Sequence, residues 1–162
     1  MAEQAKVVAL LVSSPALSSI LSMVLASVPS LRVRPFESQV ALTTYMRLAP
    51  VDLIVSDFDS ERAPADKVAR ELHADANLER RDFQMIALAS RVTPETKVAS
   101  IGAGIDEIIV KPMSPKYLLE RVLSRLQRKA GVRTVARTLT RAPDYSGSNV
   151  IPLFGRETQT LH

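Results

Sequence analysis

The chain has 162 residues, 46% of them hydrophobic, with no cysteine and a formal charge of +4 from 21 Lys/Arg against 17 Asp/Glu. This supports one globular domain with a sizeable core and an extension, and it excludes disorder throughout, a disulfide framework, and thiolate metal or nucleophile chemistry. The two histidines, His73 and His162, lie far apart, and the basic residues are interleaved with acids, which leaves no basis for a His-based metal site, a Ser/His/Asp triad or nucleic-acid binding.

The first apolar run, Val7 to Val12, follows Lys6 and has the superficial look of a signal peptide. Glu3 offsets the lysine, Ser13-Ser14-Pro15 breaks the run, and no stretch reaches the roughly 18 apolar residues of a membrane span, so a cytoplasmic location away from membranes is expected. The segment reads instead as a buried strand followed by a helix, with Ser14 as N-cap, Pro15 at the first helical position, and Leu17, Ile20, Leu21, Val24 and Leu25 at helical spacing. "LRVRPF" is then a half-exposed strand, "QVALTTYMRL" a helix, "VDLIVS" a strand, and "DKVARELHADA" a helix with Val68 and Leu72 inward. "QMIALA" is a strand, "PETKVASIGAG" a helix opened by Thr93-Pro94 and closed by glycine, "EIIV" a strand, and "SPKYLLERVLSRLQRK" a helix capped by Ser114. Five strands alternating with five helices predict a doubly wound parallel sheet.

Residues 131–162 hold four basic and two acidic residues and read as a basic, flexible extension to the domain of residues 1–130. Within it "VIPLFG" is either a chance cluster in a disordered end or a short peptide that docks on a partner or back onto the domain.

The chemistry gathers at the carboxyl ends of the strands, where ligands of open parallel sheets bind. Ser13 and Ser14 follow the first strand, Asp57 and Asp59 follow the third, and Lys111-Pro112 follows the fifth. Aspartates in such a place also serve simply to open loops and cap helices. "GAGIDE" follows a helix instead of opening one, so it is a cap and turn and not a phosphate-cradling loop.

On "DLIVSD", "GAGIDEIIVKPMSPKYLLERV" and the spacing between them, residues 5 to 130 resemble the receiver domain of bacterial two-component response regulators. The resemblance implies a flavodoxin-like (βα)5 α/β fold with strand order 2-1-3-4-5. It makes Asp57 the phosphoacceptor and Lys111 the contact to the phosphoryl group, beside a proline often held as a cis peptide. Such domains hold Mg²⁺ with an acidic pair after the first strand, but here that pair falls on Val12-Ser13 or Ser13-Ser14, and Asp59 is the only nearby acid. The hydroxyl expected after the fourth strand is replaced by Ala89, with Ser90 one residue along and expected on the other face, and the aromatic switch is replaced by Ile108.

These departures imply a pseudo-receiver, a non-enzymatic protein-interaction module of signal transduction with no cofactor. The alternative is an atypical phosphoacceptor, phosphorylated on Asp57 by a histidine kinase or phosphotransfer protein, with Mg²⁺ held weakly by Asp57 and Asp59. Lys97, Asp106, Glu107 and Arg121 match a charged face through which some members dimerise, using the fourth helix, fifth strand and fifth helix. A homodimer with Glu107 of one chain near Arg121 of the other is therefore expected, with Ile108 adding apolar surface.

Overall fold

The computed structural model describes residues 4–130 and 150–152, with side chains through residue 127. In chain order it forms β1 (Lys6–Leu11), α1 (Pro15–Ala26), β2 (Leu31–Pro35), α2 (Gln39–Leu48), β3 (Leu53–Asp57), α3 (Ala65–Ala74), β4 (Gln84–Ala89), α4 (Pro94–Ala103), β5 (Glu107–Val110) and α5 (Pro115–Ala130). The helix starts follow from cap chemistry. Ser14, Thr93 and Ser114 each accept a hydrogen bond from the amide three residues on, at 3.2, 3.1 and 3.0 Å, and each precedes a proline whose missing N–H no helix needs at that position. At the far end of α4, Gly104 takes φ 87°, the left-handed conformation that closes a helix.

The five strands are parallel and lie in the order β2-β1-β3-β4-β5, the flavodoxin-like arrangement. Parallel pairing brings every carboxyl end to one edge. Strand alternation divides the core in two. Val8, Leu10, Leu53, Val55, Ile86, Leu88 and Ile109 pack beneath α1 and α5, while Ala9, Leu11, Ile54, Ala87, Ala89 and Ile108 pack with buried residues of α2, α3 and α4. All five residues of β3 are buried, as its unbroken apolar run requires. Of the α1 stripe, Leu21 and Leu25 are buried but Ile20 is exposed, and α4 buries only Ser100 and Ala103, leaving Val98 and Ile101 to solvent.

A sixth strand was not foreseen as such. β6 (Val150–Pro152), from the "VIPLFG" motif, runs antiparallel along β5, with Ile151 opposite Ile108. Of the two readings of that motif, docking back onto the domain matches this strand; the remainder of the extension, residues 131–149 and 153–162, lies outside the described residues. Both outer strands end in proline, Pro35 in β2 and Pro152 in β6, where a missing N–H interrupts no interior ladder. Among the described residues no helix is long and apolar enough to cross a membrane.

Candidate functional site

Asp57 is the last residue of β3, and its side chain is only 1% exposed. A buried carboxylate requires partners, and each oxygen has them. Oδ2 accepts from the Ser13 hydroxyl at 2.8 Å, Oδ1 accepts from the Asp59 amide at 2.9 Å, and the Lys111 ammonium lies 3.2 and 3.4 Å from the two oxygens. Ser13 reaches Asp57 from the turn between β1 and α1. Ser14 does not join it, because its hydroxyl caps α1. Lys111 follows β5, and the Lys111–Pro112 peptide is cis.

Asp59 stands above this pair, and its Oδ2 lies 3.0 Å from Lys111 Nζ. Ser90 donates to the same oxygen through its amide at 3.0 Å and its hydroxyl at 2.7 Å. The expectation that Ser90 turns to the other face is therefore corrected. Strand alternation holds only while the chain is a strand, and β4 ends at Ala89, so Ser90 sits in a bend free to turn toward Asp59. Ala89 and Ile108 are buried in the core beneath α2 to α4 and present nothing to the pocket.

Burial pulls the Lys111 ammonium down, but hydrogen bonds and charge from Asp59 and Asp57 outweigh this and hold it above the ordinary lysine range. Burial likewise pushes the Asp59 carboxyl up, and the Ser90 hydroxyl and Lys111 more than reverse it. A shallow depression lined by Leu17, Ser90, Lys111, Pro112 and Met113 opens beside the cluster.

The donor set does not fit a tightly held Mg²⁺. That ion needs several oxygen ligands near octahedral geometry, carboxylates foremost. Ser13 offers a neutral hydroxyl already donating to Asp57, Asp59 is held by Lys111 and Ser90, and the ammonium sits against both aspartates. Among the described residues no group of three or more His, Asp or Glu side chains is placed to hold a metal ion.

Comparison with solved structures decides the fold. A response regulator from Thermotoga maritima aligns over 76% of this chain and 98% of its own at 22% identity, with a TM-score of 0.64. The fold is that of a response-regulator receiver domain. The receiver fold is equally seen in the chemotaxis protein CheY4 of Vibrio cholerae, at 22% identity over 76% of this chain and 99% of that one, with a TM-score of 0.65. The signal receiver domain of a histidine kinase from Syntrophus aciditrophicus matches 85% of this chain and all of its own, at 24% identity and a TM-score of 0.65. No family model and no curated protein matches the sequence.

On this receiver fold the charged residues expected to bridge two copies are engaged within one. Glu107 is fully buried, accepting from Arg121 Nε at 2.6 Å and from Arg125 Nε at 2.7 Å. The expected cross-subunit Glu107–Arg121 pair is thus an internal one, since α5 packs its arginines across the end of β5. Asp106 is likewise turned inward, accepting from the Met85 amide at 2.8 Å. Ile108 is in the core and adds no apolar surface, and β6 covers the β5 edge. Lys97 alone of the set is exposed, on α4. Sequence reasoning missed Arg125, whose position one turn beyond Arg121 on α5 was the available signal.

Proposed function

We propose that the protein is a receiver-type signalling module that works through protein contacts without being phosphorylated, a pseudo-receiver and not an enzyme. The engagement of Asp57 carries this reading. Attack on a phosphoryl donor needs the carboxylate to leave its present partners and a divalent cation to gather the phosphoryl oxygens. Asp57 already accepts from the Ser13 hydroxyl and the Asp59 amide, no acidic pair follows β1 to hold a divalent cation, and the single ammonium is shared with the Asp59 carboxylate. The likeness in fold to solved response regulators supports a place in two-component signalling through protein partners, and the interleaving of basic with acidic residues supports a module that binds no nucleic acid.

The test is acetyl-phosphate labelling in millimolar Mg²⁺. Wild type should incorporate near-background label and Asp57→Asn no less than wild type; strong labelling that depends on Asp57 overturns the reading. One observation favours the second reading, an atypical phosphoacceptor. Lys111 Nζ keeps its place 3.2 Å from Asp57 Oδ1 at the sheet edge. In that case Asp57 and Asp59 hold Mg²⁺ weakly, a histidine kinase or phosphotransfer protein is the partner, and the same labelling is positive.

A further inference from the structure

Three donors converge on one oxygen at the mouth of the site. Asp59 Oδ2 receives the Ser90 amide at 3.0 Å, the Ser90 hydroxyl at 2.7 Å and the Lys111 ammonium at 3.0 Å. An amide, a hydroxyl and an ammonium aimed at one point form the donor set that holds an oxygen of a tetrahedral oxyanion. Lys111 lies closer to this oxygen than to either oxygen of Asp57. Asp59 is nevertheless a loop residue with its side chain 39% accessible, so water remains within reach of a carboxylate that takes these three donors instead. Its own amide, donating to Asp57 Oδ1, holds the loop in the position that lets its carboxylate reach the three donors.

We propose that Asp59 is the resident anion of this cradle. Its carboxylate occupies the donors that otherwise gather an incoming tetrahedral oxyanion and so keeps the site anion-filled with no ligand bound. The local charge follows. One ammonium faces two carboxylates, so an arriving phosphate must displace Asp59 or enter a site that is already negative. Without the Asp59 carboxylate, Lys111 and Asp57 form a neutral pair and both donors of Ser90 are vacant. The inference goes beyond the pseudo-receiver reading and is measured differently, by reversible anion binding at Ser90 and not by labelling of Asp57.

The experiment titrates inorganic phosphate into the full chain without metal and follows the Ser90 amide by NMR, with the remaining spectrum as the check of folding. Asp59→Ala and Asp59→Asn should each bind phosphate at least about tenfold more tightly than wild type, equivalent to about 1.4 kcal/mol. Adding Ser90→Ala to Asp59→Ala should remove much of that gain, whereas Asp57→Asn alone should leave the cradle closed, because Asp59 keeps its three donors. The proposal fails when both Asp59 variants bind phosphate no better than wild type, or when the gain survives loss of the Ser90 hydroxyl undiminished.

Discussion

Glu107 shows how much one buried charge depends on its neighbours. Burial raises its carboxyl, but the guanidinium groups of Arg121 and Arg125 outweigh that and hold it below the ordinary glutamate range. A depressed carboxyl stabilises the folded state above the unfolded-state value, about 4.3, and this contribution is lost as pH falls through the folded-state value. Asp106 acts in the opposite sense. Burial raises it despite the Met85 amide, Arg125 and His73, so its ionisation costs stability as pH rises from the unfolded-state value through the folded one. Replacing Glu107 by Gln removes the buried carboxylate that Arg121 and Arg125 share and should cost about 3 to 5 kcal/mol. Urea unfolding at neutral pH measures that loss, and the variant should also show a shallower fall in stability on acidification than wild type. At this scale the placement of Asp57 and Lys111 at one edge of the sheet was legible, because they follow strands whose apolar runs fix where they end. The partnering of Ser90 was not legible, since it depends on a bend after β4 that no periodicity encodes. The inward turn of Glu107 was hidden for a similar reason, because a charged residue opening a strand reads as exposed until the helix that neutralises it is in place.

α1, α2 and α4 each bury two residues, but those of α4 are the small Ser100 and Ala103 where α1 and α2 bury leucines and a methionine, so packing holds α4 less firmly than either. Its ends therefore matter more than its face. Gly104 adopts φ 87°, where a side chain costs about 1 to 2 kcal/mol. A Cβ there would also meet His73 Cε1 at 3.0 Å. His73 has little room to withdraw, stacked on Phe83 at 4.6 Å between ring centroids and with Nδ1 3.0 Å from the Ala69 carbonyl oxygen. Gly104→Ala should accordingly destabilise by more than the conformational cost alone, read from the urea midpoint at unchanged slope. A smaller loss would mean that His73 moves freely. The caps at Ser14, Thr93, Ser114 and Gly104 were all legible, because a cap is a local arrangement of side chain and backbone. β6 was not, because three residues carry no period, and only the edge of β5, distant in sequence, makes them a strand.

For the whole molecule the order of the sheet was legible through the resemblance and through the alternation of elements, while its sixth member changes what the molecule shows to its surroundings. A variant ending at residue 142 lacks β6 and should keep the five parallel strands, whose two core layers are built from side chains of β1–β5 and the five helices. The β5 amides that face away from β4 should then exchange with solvent faster, and the variant should self-associate in sedimentation at concentrations where wild type does not. Unchanged exchange together with unchanged sedimentation would remove β6 from any role in solution. The reason lies in the composition of the uncovered edge, since Glu107–Val110 offers Ile108 and Ile109 between a paired glutamate and a valine, and Lys111-Pro112 stands only beyond its carboxyl end. A sheet edge behaves as the growing end of a polymer, to which any extended chain can add. In the intact protein both ends carry a terminator, Pro35 on one side and Pro152 on the other, each unable to donate the next hydrogen bond. The tail strand thus makes β5 an interior unit and moves the end of the sheet onto a segment three residues long that finishes in proline, from which fibre-like addition has almost no template to copy.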